Sequence, residues 1–93
     1  MKLFDFDLSN KFKKILAKLS KKNPQLALAI NRKIKEIINR DETSIILYKN
    51  LRKDLKTLKR VHITNWLVMT FEVDLKNNYI LFVDVGDRDK IYK

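Results

Sequence analysis

Ninety-three residues with a formal net charge of +10, no cysteine, one glycine and one proline point to one basic α+β domain spanning residues 1–93, built mostly of regular structure. A composition that is 45% hydrophobic and 34% charged excludes a disordered chain, and the lack of cysteine excludes disulfide staples, thiolate metal sites and a cysteine nucleophile. No apolar run approaches the ~20 residues of a membrane span and no signal-peptide pattern opens the chain, so a cytoplasmic protein with polyanionic or acidic partners is expected.

"LFDFDL" alternates, with Phe4, Phe6 and Leu8 on one side and Asp5 and Asp7 on the other, as in a short half-buried strand. Ser9 follows as an N-cap. Phe12, Ile15, Leu16 and Leu19 then recur at helical spacing among lysines, giving an amphipathic helix over roughly residues 9–21. "KKNPQ" ends it. Asn23 is placed to cap a second helix, with Pro24 in its first turn. Ala27, Ile30, Ile34, Ile37 and Ile38 mark that helix, at about 24–39. The two helices form an antiparallel hairpin. "RDETSIILYKN" reads as a connection with Ile46 and Leu47 tucked beneath it.

The remainder reads as strands. Residues 55–63, "LKTLKRVHI", alternate imperfectly. Residues 66–75 put Leu67, Met69, Phe71 and Val73 on one face and Trp66, Val68, Thr70, Glu72 and Asp74 on the other. Trp66, at the start of a strand, reads as packing, with stacking on a base as the lesser alternative. Residues 79–85, "YILFVDV", suit an inner strand, and "ITNW" and "LKNNY" supply turns. The expected architecture is β-α-α-β-β-β: a twisted, mostly antiparallel four-stranded sheet with the helical hairpin on one face.

Register decides which side chains remain uncovered. An odd number of loop residues at 64–66 places Val61 and Ile63 with Leu67, Met69 and Phe71, beneath the helices. A two-residue loop would instead put Arg60 beside Met69 in the core. Burying an unpaired guanidinium is costly, so the odd loop is expected. The bare face then carries Arg60, His62 and Thr70. The densest basic run leads into it: residues 49–62 hold six basic groups, Lys49, Arg52, Lys53, Lys56, Lys59 and Arg60, against one acidic group. Gly86 is expected to turn the chain sharply after the last strand. Arg88 and Tyr92, four apart, would share one side of a helical turn. Cations and a phenol beside a basic sheet face make a candidate phosphodiester site.

The element order, the "LKTLKRVHI" strand, and a closing strand followed by Gly-x-Arg-x-x-x-Tyr in "VGDRDKIYK" resemble the RelE/ParE superfamily of toxins from toxin–antitoxin systems. The resemblance spans essentially the whole chain and is most specific over 55–93. It implies one of two activities. The RelE branch cleaves mRNA, usually on the ribosome, whereas the ParE branch poisons DNA gyrase; a member retaining only nucleic-acid or antitoxin binding is a third reading. Cleavage in the RelE branch requires no metal or other cofactor. The substrate 2′-OH attacks the adjacent phosphate, and the protein supplies proton transfer and positive charge. Carried over, Arg88 matches the family's C-terminal phosphate-stabilising arginine. Tyr92 matches the terminal acid/base or stacking position. Arg60 and His62 lie on the strand of basic catalytic groups, with His62 suited to proton transfer. Lys49, Arg52, Lys53, Lys56 and Lys59 are the implied RNA-binding cations. Val68 stands where many members carry an arginine. The implied protein partner is an acidic antitoxin, joined in a small hetero-oligomer through an amphipathic helix.

Overall fold

A computed structural model describes residues 3–51 and 58–91. The elements in order are β1 (Asp5–Leu8), α1 (Asn10–Lys22), α2 (Pro24–Ile38), α3 (Glu42–Ile45), β2 (Leu58–His62), β3 (Leu67–Asp74), β4 (Tyr79–Asp87) and α4 (Arg88–Ile91). The strands lie in the order β1-β4-β3-β2. β1 runs parallel to β4 and the other neighbours are antiparallel. This is the expected α+β fold, with two one-turn helices added.

The helix ends follow from their caps. Ser9 Oγ accepts from the Phe12 N–H at 3.0 Å and donates to the Val83 carbonyl at 2.6 Å, so it both starts α1 and ties it to β4. Asn23 Oδ1 accepts from Leu26 N–H at 3.2 Å, and Pro24 occupies the first turn of α2. One side of the sheet is covered by the helices. Phe12 of α1 and Leu26, Ile30, Ile34 and Ile37 of α2 share a core with Met69, Phe71, Ile80, Phe82 and Val85 of β3 and β4. Phe71 and Phe82 pack at 5.8 Å between ring centroids, and Phe12 meets Phe82 at 6.2 Å.

The connection from α2 to β2 corrects one expectation. Asp41 Oδ1 accepts from Ser44 N–H at 2.8 Å and caps the single turn α3. Within that turn Ile45 is fully buried, while Ile46 and Leu47 are exposed. Successive helical residues point about 100° apart, so one of three consecutive apolar residues faces inward and the others cannot follow it. Tyr48 then anchors the segment. Its ring meets Phe71 edge-on at 5.4 Å, its hydroxyl donates to Glu36 Oε2 at 2.7 Å, and Arg40 Nε–H donates to its oxygen at 3.2 Å. Burial, then the Glu36 hydrogen bond, pushes the phenol up to about 12.

Gly86 corrects a second expectation. It lies inside β4, opposite Val68, and its φ is not positive. The chain bends two residues later, where α4 begins. Among the described residues no helix is long and apolar enough to cross a membrane.

Candidate active site on the sheet face opposite the helical hairpin

The pairing register fixes the faces. Val61 stands opposite Met69, Arg60 opposite Thr70 and His62 opposite Val68. Ile63 and Thr64 N–H groups both donate to the Leu67 carbonyl, at 2.8 and 3.3 Å. The β2–β3 hairpin therefore turns about Asn65, with the odd connection, and Arg60 and His62 share the face away from the helices. β4 continues the rows: Thr70 faces Asp84 and Val68 faces Gly86. Two cross-strand rows result, Arg60–Thr70–Asp84 and His62–Val68–Gly86. Each spans two interstrand spacings, about 10 Å. Arg88 lies two residues beyond Gly86, its N–H donating to the Trp66 carbonyl at 2.8 Å.

Segment 49–51 extends the sheet past β2. Leu51 N–H donates to the Leu58 carbonyl and Arg60 N–H to the Lys49 carbonyl, both at 2.9 Å, with Asn50 opposite Lys59. This places exposed Lys49 beside Arg60. It also separates Lys59 from the other cations. Lys59 is only 7% exposed, and its ammonium donates to Asn50 Oδ1 at 2.6 Å. The expectation that Lys59 belongs to the basic face is corrected. It alternates with Arg60, so once Arg60 faces outward Lys59 must face inward. Arg60 is oriented by the same residue, its Nε–H donating to the Asn50 backbone carbonyl at 3.2 Å. Arg52, Lys53, Lys56 and Tyr92 lie outside the described residues.

The face is not bare throughout. Val68 is fully buried and Thr70 is 3% exposed. α4 contacts both β3 and β4, and Ile91 sits over Gly86, 3.9 Å from where a Cβ would be. The C-terminal turn thus covers part of the sheet and leaves His62 exposed, while Arg88, its own first residue, is exposed to solvent. Two nearby carboxylates are already engaged. Asp84 pairs with Lys11 of α1 at 3.0 Å. Asp87 accepts from the Asp89 N–H at 2.9 Å, at the start of α4. Trp66, read from sequence as packing, is 52% exposed at the hairpin tip.

Arg60, His62 and Lys49 are therefore the sequence-nominated groups that strand pairing puts on one side, Arg88 follows β4 at the start of α4, and Lys59 is turned inward. Sequence reasoning missed Asn50, which orients two cations, and Lys11, which neutralises Asp84. Asn50 was readable only as a polar loop residue, and Lys11 only as one of many helix lysines.

No family model matches the chain. Over 91 residues it is 38% identical to a protein of Methanocaldococcus jannaschii named "Putative toxin RelE4", covering 98% of this chain and 93% of that one. The chain belongs to the RelE family of toxins. Its fold agrees with that of YafQ from E. coli strain BL21(DE3), at a TM-score of 0.71 and 15% identity over 97% of this chain and 99% of that chain. The Helicobacter pylori protein HP0892 superposes with a TM-score of 0.59 and 19% identity, over 95% and 98% of the two chains. At these identities the two structures show a shared fold alone. For a RelE-family toxin an antitoxin is the implied partner.

Proposed function

We propose that this RelE-family toxin is an endoribonuclease that cleaves mRNA on the ribosome, without a metal, by attack of a 2′-OH on the adjacent phosphate. The observation that carries this reading is the register: Arg60 and His62 on the same face of β2, across one buried strand from the end of β4 where Arg88 begins. Cationic side chains entering from the two sides of β3 suit a dianionic phosphorane-like transition state held above it. In this reading His62 transfers a proton, Arg60 and Arg88 stabilise the phosphate, and Tyr92 acts at the terminal acid/base or stacking position. Lys49 with Arg52, Lys53 and Lys56 binds the RNA backbone. The 93 residues act as one cytoplasmic toxin domain.

The antitoxin is proposed to be acidic and amphipathic. Support comes from the net charge of +10 and from a groove of about 470 Å³ between β1 and α2, lined by Phe6, Leu8, Leu28, Ile34, Ile38 and, at its rim, Lys35. A helix with apolar and acidic faces meets both features.

Primer extension on mRNA after induction in a bacterial host tests the nuclease reading. Discrete new 5′ ends are expected, and they disappear in the His62→Ala/Arg88→Ala double variant. Buried Val68, standing where many relatives of the nuclease branch carry an arginine, favours a second reading as a gyrase inhibitor. Intact mRNA with loss of supercoiling activity would establish that reading instead.

A further inference from the structure

We propose that Trp66 is a nucleobase-stacking platform at the edge of this face, receiving a base of the single-stranded substrate next to the phosphate held by Arg88. The inference rests on the nuclease reading and adds a subsite to it. Trp66 is 52% exposed, and among the described residues its indole makes no ring contact and no hydrogen bond. A loose loop tip would explain that exposure, but the backbone here is held on both sides. Thr64 Oγ1 accepts from the N–H groups of Trp66 and Leu67, at 3.4 and 3.1 Å. The Trp66 carbonyl accepts from Arg88 N–H at 2.8 Å. The indole is thus presented from fixed backbone, one residue before β3 enters the core.

Three features point to a nucleic-acid base as the occupant. A large aromatic left half in water offers a flat apolar face on which a planar group can stack. Its backbone is hydrogen-bonded to that of Arg88, an exposed cation, so an aromatic ring and a positive charge leave from adjoining backbone. This pairing of stacking ring and backbone-binding cation is how proteins hold single strands. Every base has a π-face, so the platform adds affinity and positions the strand without reading one base.

Trp66 is the only tryptophan in the chain, so its emission reports on this site alone. The test is a titration with a fluorophore-labelled single-stranded 2′-O-methyl oligoribonucleotide, which lacks the attacking hydroxyl and cannot be cleaved. A sugar-phosphate strand of equal length with no bases serves as the control. Binding is followed by anisotropy and stacking by Trp66 emission. The base-containing strand is expected to bind and quench the emission, whereas the abasic strand binds more weakly and leaves it unchanged. Trp66→Ala is expected to weaken binding of the base-containing strand by about 5- to 100-fold, with little effect on the abasic strand. Trp66→Phe retains most of the affinity, and circular dichroism confirms that both variants are folded. The proposal is overturned if the base-containing strand does not bind, if it binds with unchanged emission and Trp66→Ala binds equally, or if emission responds only to a bound antitoxin. Such a result leaves the nuclease reading standing, because primer extension with the His62 and Arg88 variants decides that separately.

Discussion

Lys59 and Arg60, adjacent in sequence, are held on opposite faces of the sheet by the same residue, Asn50. The Asn50 side chain accepts from the buried Lys59 ammonium at 2.6 Å, and its backbone carbonyl accepts from Arg60 Nε–H at 3.2 Å.

Replacing Asn50 by Ala should orphan a buried charge while leaving the Arg60 contact to the main chain. Unfolding in urea is expected to show a loss of about 1–3 kcal/mol. Lys59→Met on top of Asn50→Ala should recover much of it, because removing both partners of a buried polar pair is nearly neutral. If Lys59→Met alone weakens RNA binding as strongly as Arg60→Ala does, Lys59 belongs to the nucleic-acid surface after all.

A proton-transfer role for His62 and a phosphate role for Arg88 predict large and separable effects. Cleavage in a purified translation system should fall by about 10²–10⁴-fold in His62→Ala. In Arg88→Ala it should fall by about 10²–10³-fold. Full cleavage by the two single variants would move the active site elsewhere.

Val68 is fully buried between His62 and Gly86. Val68→Arg therefore places a guanidinium under the C-terminal turn. The expected result is loss of about 3 kcal/mol or more, together with release of α4, seen as new C-terminal cleavage in limited proteolysis. A Val68→Arg protein as stable as the parent would show that this face opens freely.

Tyr48 and Glu36 give the stability a dependence on pH at both ends. The Tyr48 hydroxyl holds the Glu36 carboxyl below its usual range, with Lys33 and Arg40 adding to it. Its contribution is present above the ordinary carboxylate value and fades as pH falls through the lowered one. The Tyr48 phenol is raised from 10.0 to about 12, first by burial. Its contribution is complete below pH 10 and is lost as pH climbs through about 12. Tyr48→Phe should cost about 1 kcal/mol near neutrality, flatten the alkaline decline and reduce the acid one. Urea midpoints across the pH range measure all three.

Much of this fold was legible from local chemistry. Ser9, Asn23 and Pro24 mark helix ends because caps act on their own neighbours. The β2–β3 register followed from a single energetic choice, whether Arg60 or Val61 enters the core. What could not be read depended on distant partners. Lys59 can hold its charge on the inward side because Asn50 arrives from another segment to accept its hydrogen bond. Val68 is buried because the C-terminal turn folds back, and no pattern within β3 announces that. Phe6 alternates as a core residue yet is 38% exposed, because β1 is an edge strand with α2 only partly over it. The site followed the same division. The Arg60–His62 face was written in alternation, whereas the pairing of Asp84 with Lys11 required the folded chain.

Gly86 offers the last discrimination. A glycine at the end of a strand suggests a turn that no other residue could make, but here the residue lies in extended backbone without positive φ. An added Cβ would meet only Ile91, at 3.9 and 4.0 Å, which is ordinary contact. Gly86→Ala should therefore fold normally and gain stability, by about 0.4–1 kcal/mol, because the unfolded chain loses freedom. Gly86→Leu has no such room and should push Ile91 and α4 off the sheet. Thermal unfolding of the pair is the measurement. An alanine variant that is strongly destabilised would mean that the backbone needs glycine itself, whereas a stable alanine and an unstable leucine would show that glycine is there to let the C-terminal turn lie down on the sheet.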